Sequence, residues 1–378
     1  MILLKIIIGG DVVPTENNRE LFESEDFINK LDLKFKELWN KADYRVFNLE
    51  CPLGNNNYIK QVKAGPNLIA SEKCINGIKS LKPDLVCLAN NHILDYLQEG
   101  LETVEHLLSQ NNIKYIGIIE DINQKSDTFY IEKDGVTIGI YNLCENEFSV
   151  ATINCKGANP YNEFKTYREL QESKSNCDYL IVIYHGGKEK YRYPSPKLKK
   201  RCETFIDFGA DIVLCQHSHS IGCEEKYSGG TILFGQGNFI FNDVNNDNEY
   251  WNTGLLVEIN ANKEEYSMSY IPIERFENTF KMSTDDSILK NFEERSNSLK
   301  DDGFVESSYD KFCASLIDNY LESISYHSKL EGLYWRIFKR FPKRKYKEST
   351  YLNLLNSIRC EAHSEALIKG LEQKLKEF

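Results

Sequence analysis

Short runs of consecutive apolar residues recur along this chain, and many of them stop at Asp, Glu, Asn or His. Unbroken apolar runs of roughly four to eight residues suit strands buried on both faces. Leu3 to Ile8 is the first, and it delivers Asp11 after two glycines. Tyr44 to Leu49 closes on Asn48-Leu49-Glu50 before Pro52 stops it. Leu85 to Ala89 leads into Asn90-Asn91-His92, Tyr179 to Tyr184 into His185-Gly186-Gly187, and Ile212 to Gln216 into His217-Ser218-His219. Residues i and i+2 of an extended chain share a side, so the pattern predicts two imidazoles presented together at the end of that last strand.

Between these runs the period lengthens to that of a helix. Phe27, Leu31, Leu33, Phe35 and Leu38 form one such stretch, and Leu97, Leu101, Val104, Leu107 and Leu108 form another from about Asp95. A third helix is predicted over 197–208, its lysines and Arg201 read as a charged face. Asp134-Gly135 between Phe129-Tyr130-Ile131 and Val136 to Leu143 is a hairpin signal. Residues 53–70 read as a loop over the strand ends, and 144–162 as a cap. Thr231 to Phe234, Gly254 to Ile259 and Tyr266 to Ile273 complete the strands. Alternating strand and helix predicts a sheet with helical cover. Around Glu274 the character changes and helices follow, so the expected division is 1–273 and 274–378.

Charge narrows the partners. The formal net charge is -11, and from Glu274 onward 18 Lys+Arg balance 18 Asp+Glu, so the whole excess lies in residues 1–273. An acidic domain whose strands end in histidine suits cations, not a nucleic-acid backbone. The eleven cysteines are scattered, with no C-x-x-C pair, and several sit inside apolar runs, including Cys215. That favours buried free thiols in a reducing, cytoplasmic setting. No run approaches the roughly 18 apolar residues of a membrane span, so none is expected. Leu330, Leu333, Tyr334, Ile337, Phe338 and Phe341 form an apolar stripe followed by a basic cluster from Lys339 to Lys347. Such a helix packs on the main domain or lies on an anionic membrane.

The candidate constellation is Asp11, Glu50, Asn91, His92, His185, His217 and His219. Carboxylate oxygen, imidazole nitrogen and an amide carbonyl together suit one or two divalent ions, with Mn, Fe or Zn preferred over magnesium or calcium. A pair of such ions about 3.5–4 Å apart, sharing a carboxylate, activates water at neutral pH and stabilises both oxygens of an in-line displacement. Phosphate ester hydrolysis is the chemistry that most needs this arrangement.

The order Gly10-Asp11, Asn48-Leu49-Glu50, Asn90-Asn91-His92 with Asp95-Tyr96, His185 with Glu189, Gly209-Ala210-Asp211, His217-Ser218-His219 and Gly237-Asn238-Phe239 resembles the CapA family of poly-γ-glutamate capsule synthesis proteins. The resemblance spans roughly residues 4–260 and implies a four-layered α/β/β/α metallophosphatase-like sandwich, with a helical C-terminal extension outside the match. It further implies that Asp11 and His219 hold one metal, that Asn91, His185 and His217 hold the other, and that Glu50 bridges. His92 would be the general acid or a substrate contact, oriented by Asp95, whose other reading is a helix N-cap. Asn48, Glu189 and Asn238 are candidate substrate contacts; a solvated loop carboxylate and a plain turn asparagine are the simpler readings of the last two.

Three positions depart from the metallophosphatase pattern. Val13 stands where those enzymes carry the histidine of Asp-x-His, Glu50 where they carry aspartate, and Gln216 where glycine or histidine is common. The expectation is a metal-dependent hydrolase acting on an anionic small molecule or polymer in capsule or other cell-surface polymer synthesis. The alternative is a non-catalytic accessory subunit that keeps the pocket and serves other polymer-synthesis proteins.

Overall fold

The computed structural model describes residues 3–243, 248, 250–324, 347–375 and 377. They divide into two compact units, Met1–Gln61 with Asn67–Val305 and Val62–Pro66 with Glu306–Phe378. Seven strands of the first unit position the site: β1 (Leu4–Val13), β2 (Tyr44–Leu49), β3 (Leu85–Cys87), β4 (Val136–Cys144), β5 (Tyr179–His185), β6 (Ile212–Gln216) and β7 (Asn238–Phe241).

These strands lie in two mixed sheets. In the first, β1, β2 and β3 run parallel as neighbours, β7 pairs in parallel with the far end of β1, and antiparallel strands from Thr253 to Met282 extend the other edge. In the second, β4, β5 and β6 run parallel, with antiparallel strands closing both edges. Apolar side chains point from both faces of each strand, so each sheet must be covered twice. Ile6, Ile8, Val46 and Leu85 of the first sheet meet Ile138, Ile140, Ile183 and Leu214 of the second in one core. The outer faces pack against helices in two further cores, around Phe35, Trp39, Leu101 and Val104 on one side and Leu170, Cys202 and Phe205 on the other. Three cores between four layers give the α/β/β/α sandwich that the resemblance implies.

Parallel neighbours bring their C-terminal ends to one edge, which is why residues far apart in sequence meet. β1 runs on past Ile8 through Gly9, Gly10 and Asp11, because β7 supplies a partner there. A β-carbon on Gly10 would stand 2.3 Å from the Gly237 carbonyl oxygen, so only glycine lets the strands approach. Two buried amides pin the sheets together at this edge. Gln216 donates to the Gly9 carbonyl and to Gln236, while Gln236 donates to the carbonyls of Ile8 and Leu255. Gln216 is thus a polar strut between layers.

The change of character read at Glu274 falls inside the strand Tyr266–Phe276, and the first unit continues to Val305. The helix Asp286–Ser298 buries Phe292 in the inter-sheet core, and Ser296 accepts from the Glu224 backbone N–H. Local polarity hid that burial. The second unit is helical, with most of Phe304–Ile324 and the helices Glu348–Arg359 and Glu361–Leu375. Most of the basic amphipathic stretch from Leu330 lies outside the described residues. Among those described, no helix is long and apolar enough to cross a membrane.

Candidate metal centre

At the C-terminal edge of the parallel strands, Asp11, Glu50, Asn91, His185, His217 and His219 converge, all of them buried. Glu50, His185 and His217 offer ligand atoms within 4.8 Å of one another, and so do Asp11, Glu50 and His219. Glu50 belongs to both groups. Donor atoms each about 2.1 Å from a shared ion stand about 3–3.5 Å apart. His185 Nε2 lies 3.1 Å from Asn91 Oδ1 and 3.2 Å from Glu50 Oε1, which matches that spacing. Around the other group the distances are longer, 3.8 Å from His219 Nδ1 to Asp11 Oδ2 and 3.9 Å from His219 Nε2 to Glu50 Oε1.

The atoms without partners identify what the centre suits. Glu50 is 0% exposed, yet neither carboxylate oxygen has a hydrogen-bond donor, and the buried His217 Nδ1 is also without a partner. Burying a carboxylate with no donor costs several kcal/mol unless a cation is supplied. These residues could therefore hold a divalent metal ion.

The paired histidines reach the site by a different route from the one their spacing suggests. β6 ends at Gln216, and His217 and His219 follow it in left-handed backbone with φ of 83° and 51°. Alternation along an extended strand does not place them; two strained residues at the strand's exit do, a cost usually carried at functional sites. Asp11 holds this turn, its Oδ2 accepting the His217 backbone N–H at 3.3 Å.

Other expected residues sort by what they touch. His92 Nδ1 lies 2.6 Å from Asp95 Oδ2, which also accepts the Leu68 N–H. Asp95 is not a helix cap, since Tyr96 holds the N-cap position of the following helix. Asn48 donates to Asp11 Oδ1 at 2.7 Å and accepts from Asn90, so it braces Asp11. Asn238 Oδ1 stands 2.9 Å from His219 Nδ1, where an amide oxygen can accept that nitrogen's proton and leave Nε2 for Glu50. The Trp251 ring packs against that of His219, centres 4.4 Å apart and planes tilted by 40°. Glu189 is half-buried and adds to the negative potential felt by Glu50, His185 and His219. Cys215 is buried, its Sγ 3.6 Å from that of Cys202. Arg201, read as part of a charged face, is buried with its guanidinium 3.9 Å from the Tyr161 ring centre.

One group escaped the sequence reading. Glu145 and Glu147 offer ligand atoms within 4.8 Å of His217. Glu145 follows the apolar strand β4, the same signature that marks Glu50 and His185, within the stretch expected to be a cap.

Burial dominates the protonation of the centre. It raises Asp11 to about 6, with the Glu50 charge adding and His185 and His219 subtracting, and it lowers His185 to about 4. Glu50 is raised for the same reason. Burial also disfavours charge on His219, but Glu50 and Asp11 outweigh it and the net shift is upward. For the cation-free fold the Asp11 and His185 shifts oppose each other. Asp11 stabilises fully below its unfolded value of 3.8 and ceases to do so above about 6; His185 stabilises above 6.5 and ceases to do so below about 4. For cation binding they act together, because ligation needs the carboxylate ionised and the imidazole neutral. Mn2+ affinity is expected to fall about tenfold per unit as pH drops below about 6, and more steeply near 4. Equilibrium dialysis across this range tests it, and an affinity unchanged down to about pH 5 would refute it.

The family match and the curated relatives agree on kinship. The family described as "Bacterial capsule synthesis protein PGA_cap" matches residues 5–243. Capsule biosynthesis protein CapA of Bacillus anthracis is 26% identical over 209 residues, 53% of this chain and 51% of that protein. PGA biosynthesis protein CapA of Bacillus subtilis strain 168 is 26% identical over 208 residues, 54% of each. The chain thus spans about half the length of these curated relatives. Among solved structures, a candidate 5'-nucleotidase of Staphylococcus aureus aligns with 76% of this chain and 57% of its own at TM-score 0.46 and 16% identity. A hypothetical protein from Thermus thermophilus aligns with 72% of this chain and 100% of its own at TM-score 0.44 and 12% identity. With the matched segment covering more than half of its residues, the chain belongs to the bacterial capsule synthesis protein PGA_cap family.

Proposed function

We propose that this protein is a metal-dependent hydrolase of phosphoesterase type, acting in the synthesis of a capsule, poly-γ-glutamate or another cell-surface polymer. The observation that carries this reading is the Glu50 carboxylate, wholly buried, undonated and shared by two ligand groups. Asp11, Glu50 and His219 would hold one ion, and Glu50, Asn91, His185 and His217 the other, with Mn, Fe or Zn suited to the mixed N/O donors. When bound, a pair of divalent ions supplies Lewis-acid charge and activates water near neutral pH.

The chain's own residues do the rest. Asn48 and Asn238 hold Asp11 and His219 in place through the hydrogen bonds described above. His92, with Nδ1 held against Asp95, would pass a proton from Nε2 to a leaving group. The bond cleaved is a phosphoester or a related acyl or amide bond in an anionic substrate, which the cation pair would draw in despite the acidic domain.

Purified protein is expected to carry a transition metal and to hydrolyse a generic phosphodiester, with His217→Ala losing both. Protein without such a metal, or a His217→Ala variant with full cellular activity, refutes the reading. One observation favours an accessory role instead. Val13, buried and apolar, offers no ligand to the Asp11 position. Cation binding without turnover of any ester would select that alternative.

A further inference from the structure

We propose that Glu145 is the positioning residue of His217: its carboxylate takes the Nε2 proton and so presents Nδ1 to the cation. This rests on the two-cation reading above and adds a residue to it. A neutral imidazole has one protonated nitrogen and one lone pair, and the partner of the first decides which nitrogen can ligate. His217 is 4% exposed, so its protein neighbours weigh heavily in that choice. Its Nε2 lies 3.5 Å from Glu145 Oε1, an approach not yet closed into a hydrogen bond, and Nδ1 has no hydrogen-bond partner. The undonated oxygens of Glu50 and the ring of His185, 5.0 Å away centre to centre, share the ligand group with His217. With Nε2 turned toward Glu145, Nδ1 is the nitrogen left for that group.

Glu145 is fixed well enough to do this. Its backbone N–H donates to the His185 carbonyl at 3.0 Å, tying it to another ligand's strand. The loop that follows is fastened by Ser149, whose hydroxyl donates to the Asn91 carbonyl at 2.7 Å and accepts the Leu94 N–H. Asn146 donates to the Tyr161 carbonyl. A carboxylate behind a ligating histidine raises the ring's basicity and fixes its orientation, and its loss typically lowers metal affinity about 10–100-fold. Contacts of this kind are often long without the ligand and tighten when it binds.

The test uses the full chain with 15N-labelled histidine, as wild type, as Glu145→Ala and as Glu145→Gln, whose amide oxygen still accepts a hydrogen bond. Long-range 1H–15N spectra of the cation-free proteins read the tautomer, and Mn2+ titration followed by electron paramagnetic resonance reads affinity and stoichiometry. The His219 Nδ1–H signal, held by Asn238, reports that each variant is folded. The expected result is an Nε2–H tautomer at His217 in the wild type, its loss in Glu145→Ala with Mn2+ affinity down about 10–100-fold at unchanged stoichiometry, and recovery of both in Glu145→Gln. Unchanged tautomer and affinity in Glu145→Ala would overturn the proposal. Loss of a whole Mn2+ equivalent would also overturn it, since Glu145, with Glu147, would then be a direct ligand. A wild type that binds no Mn2+ but shows the Glu145-dependent tautomer would sink the two-cation reading and leave the positioning role standing.

Discussion

Glu50→Gln is expected to abolish tight binding of divalent cations and, at the same time, to make the cation-free protein more stable. The first effect follows from membership of both ligand groups: one substitution removes a charged oxygen donor from each. Loss of about 10²–10³-fold in Mn2+ affinity is expected, the scale of about 3–4 kcal/mol. The second effect follows from burial. The carboxylate is removed from water with no donor on either oxygen, and its pKa is pushed up by that burial and by the nearby charge of Glu189 and Asp95. A neutral amide of the same shape escapes most of that cost, and its N–H groups can donate to the carboxylate and imidazole acceptors around it. About 1–2 kcal/mol regained would raise the melting temperature by about 2–6 °C in the presence of chelator. Dialysis and calorimetry on the same samples read both effects. A glutamate placed merely to build the core would give the opposite pair of signs, with cation content kept and melting lowered.

Most of the candidate cluster is legible because its signal is local. Asp11, Glu50, Asn91 and His185 each close an apolar run, and a parallel sheet gathers such ends at one edge whatever the spacing between them. What the sequence could not show depends on backbone shape or on partners distant along the chain. His217 and His219 look like neighbours on an extended strand, yet left-handed φ values bring them in, and nothing in Gln216-His217-Ser218-His219 announces that turn. Asn238 carries a plausible turn signature, and only the meeting of β7 with β1 reveals it as the partner of His219. Gln216 looks like a defect in the motif until Gln236 and the carbonyls of Ile8 and Gly9 come within reach. Glu145 is the instructive miss, since the rule that found Glu50 applies to it unchanged. The loop-like polarity of the residues after it outweighed the apolar strand before it.

Replacing His92 by alanine is expected to cost turnover heavily while sparing the metal, and the size of the loss should depend on the leaving group. His92 is absent from both cation groups, and its Nδ1 is committed to Asp95 at 2.6 Å. Removing the ring therefore takes no ligand away. If Nε2 donates a proton to the departing oxygen, its loss costs about 10²–10⁴-fold in kcat for a substrate with a strongly basic leaving group. An aryl ester with an acidic leaving group departs without that help, so the same variant should then lose little. Asp95→Asn should lie between His92→Ala and the wild type, because the amide can still orient the ring but stabilises its protonated form less well. Metal content measured on each preparation separates the possibilities. A uniform loss across leaving groups would make His92 a substrate contact, and parallel loss of metal would make it structural; only the steep dependence on leaving-group basicity, with metal retained, is the mark of a general acid.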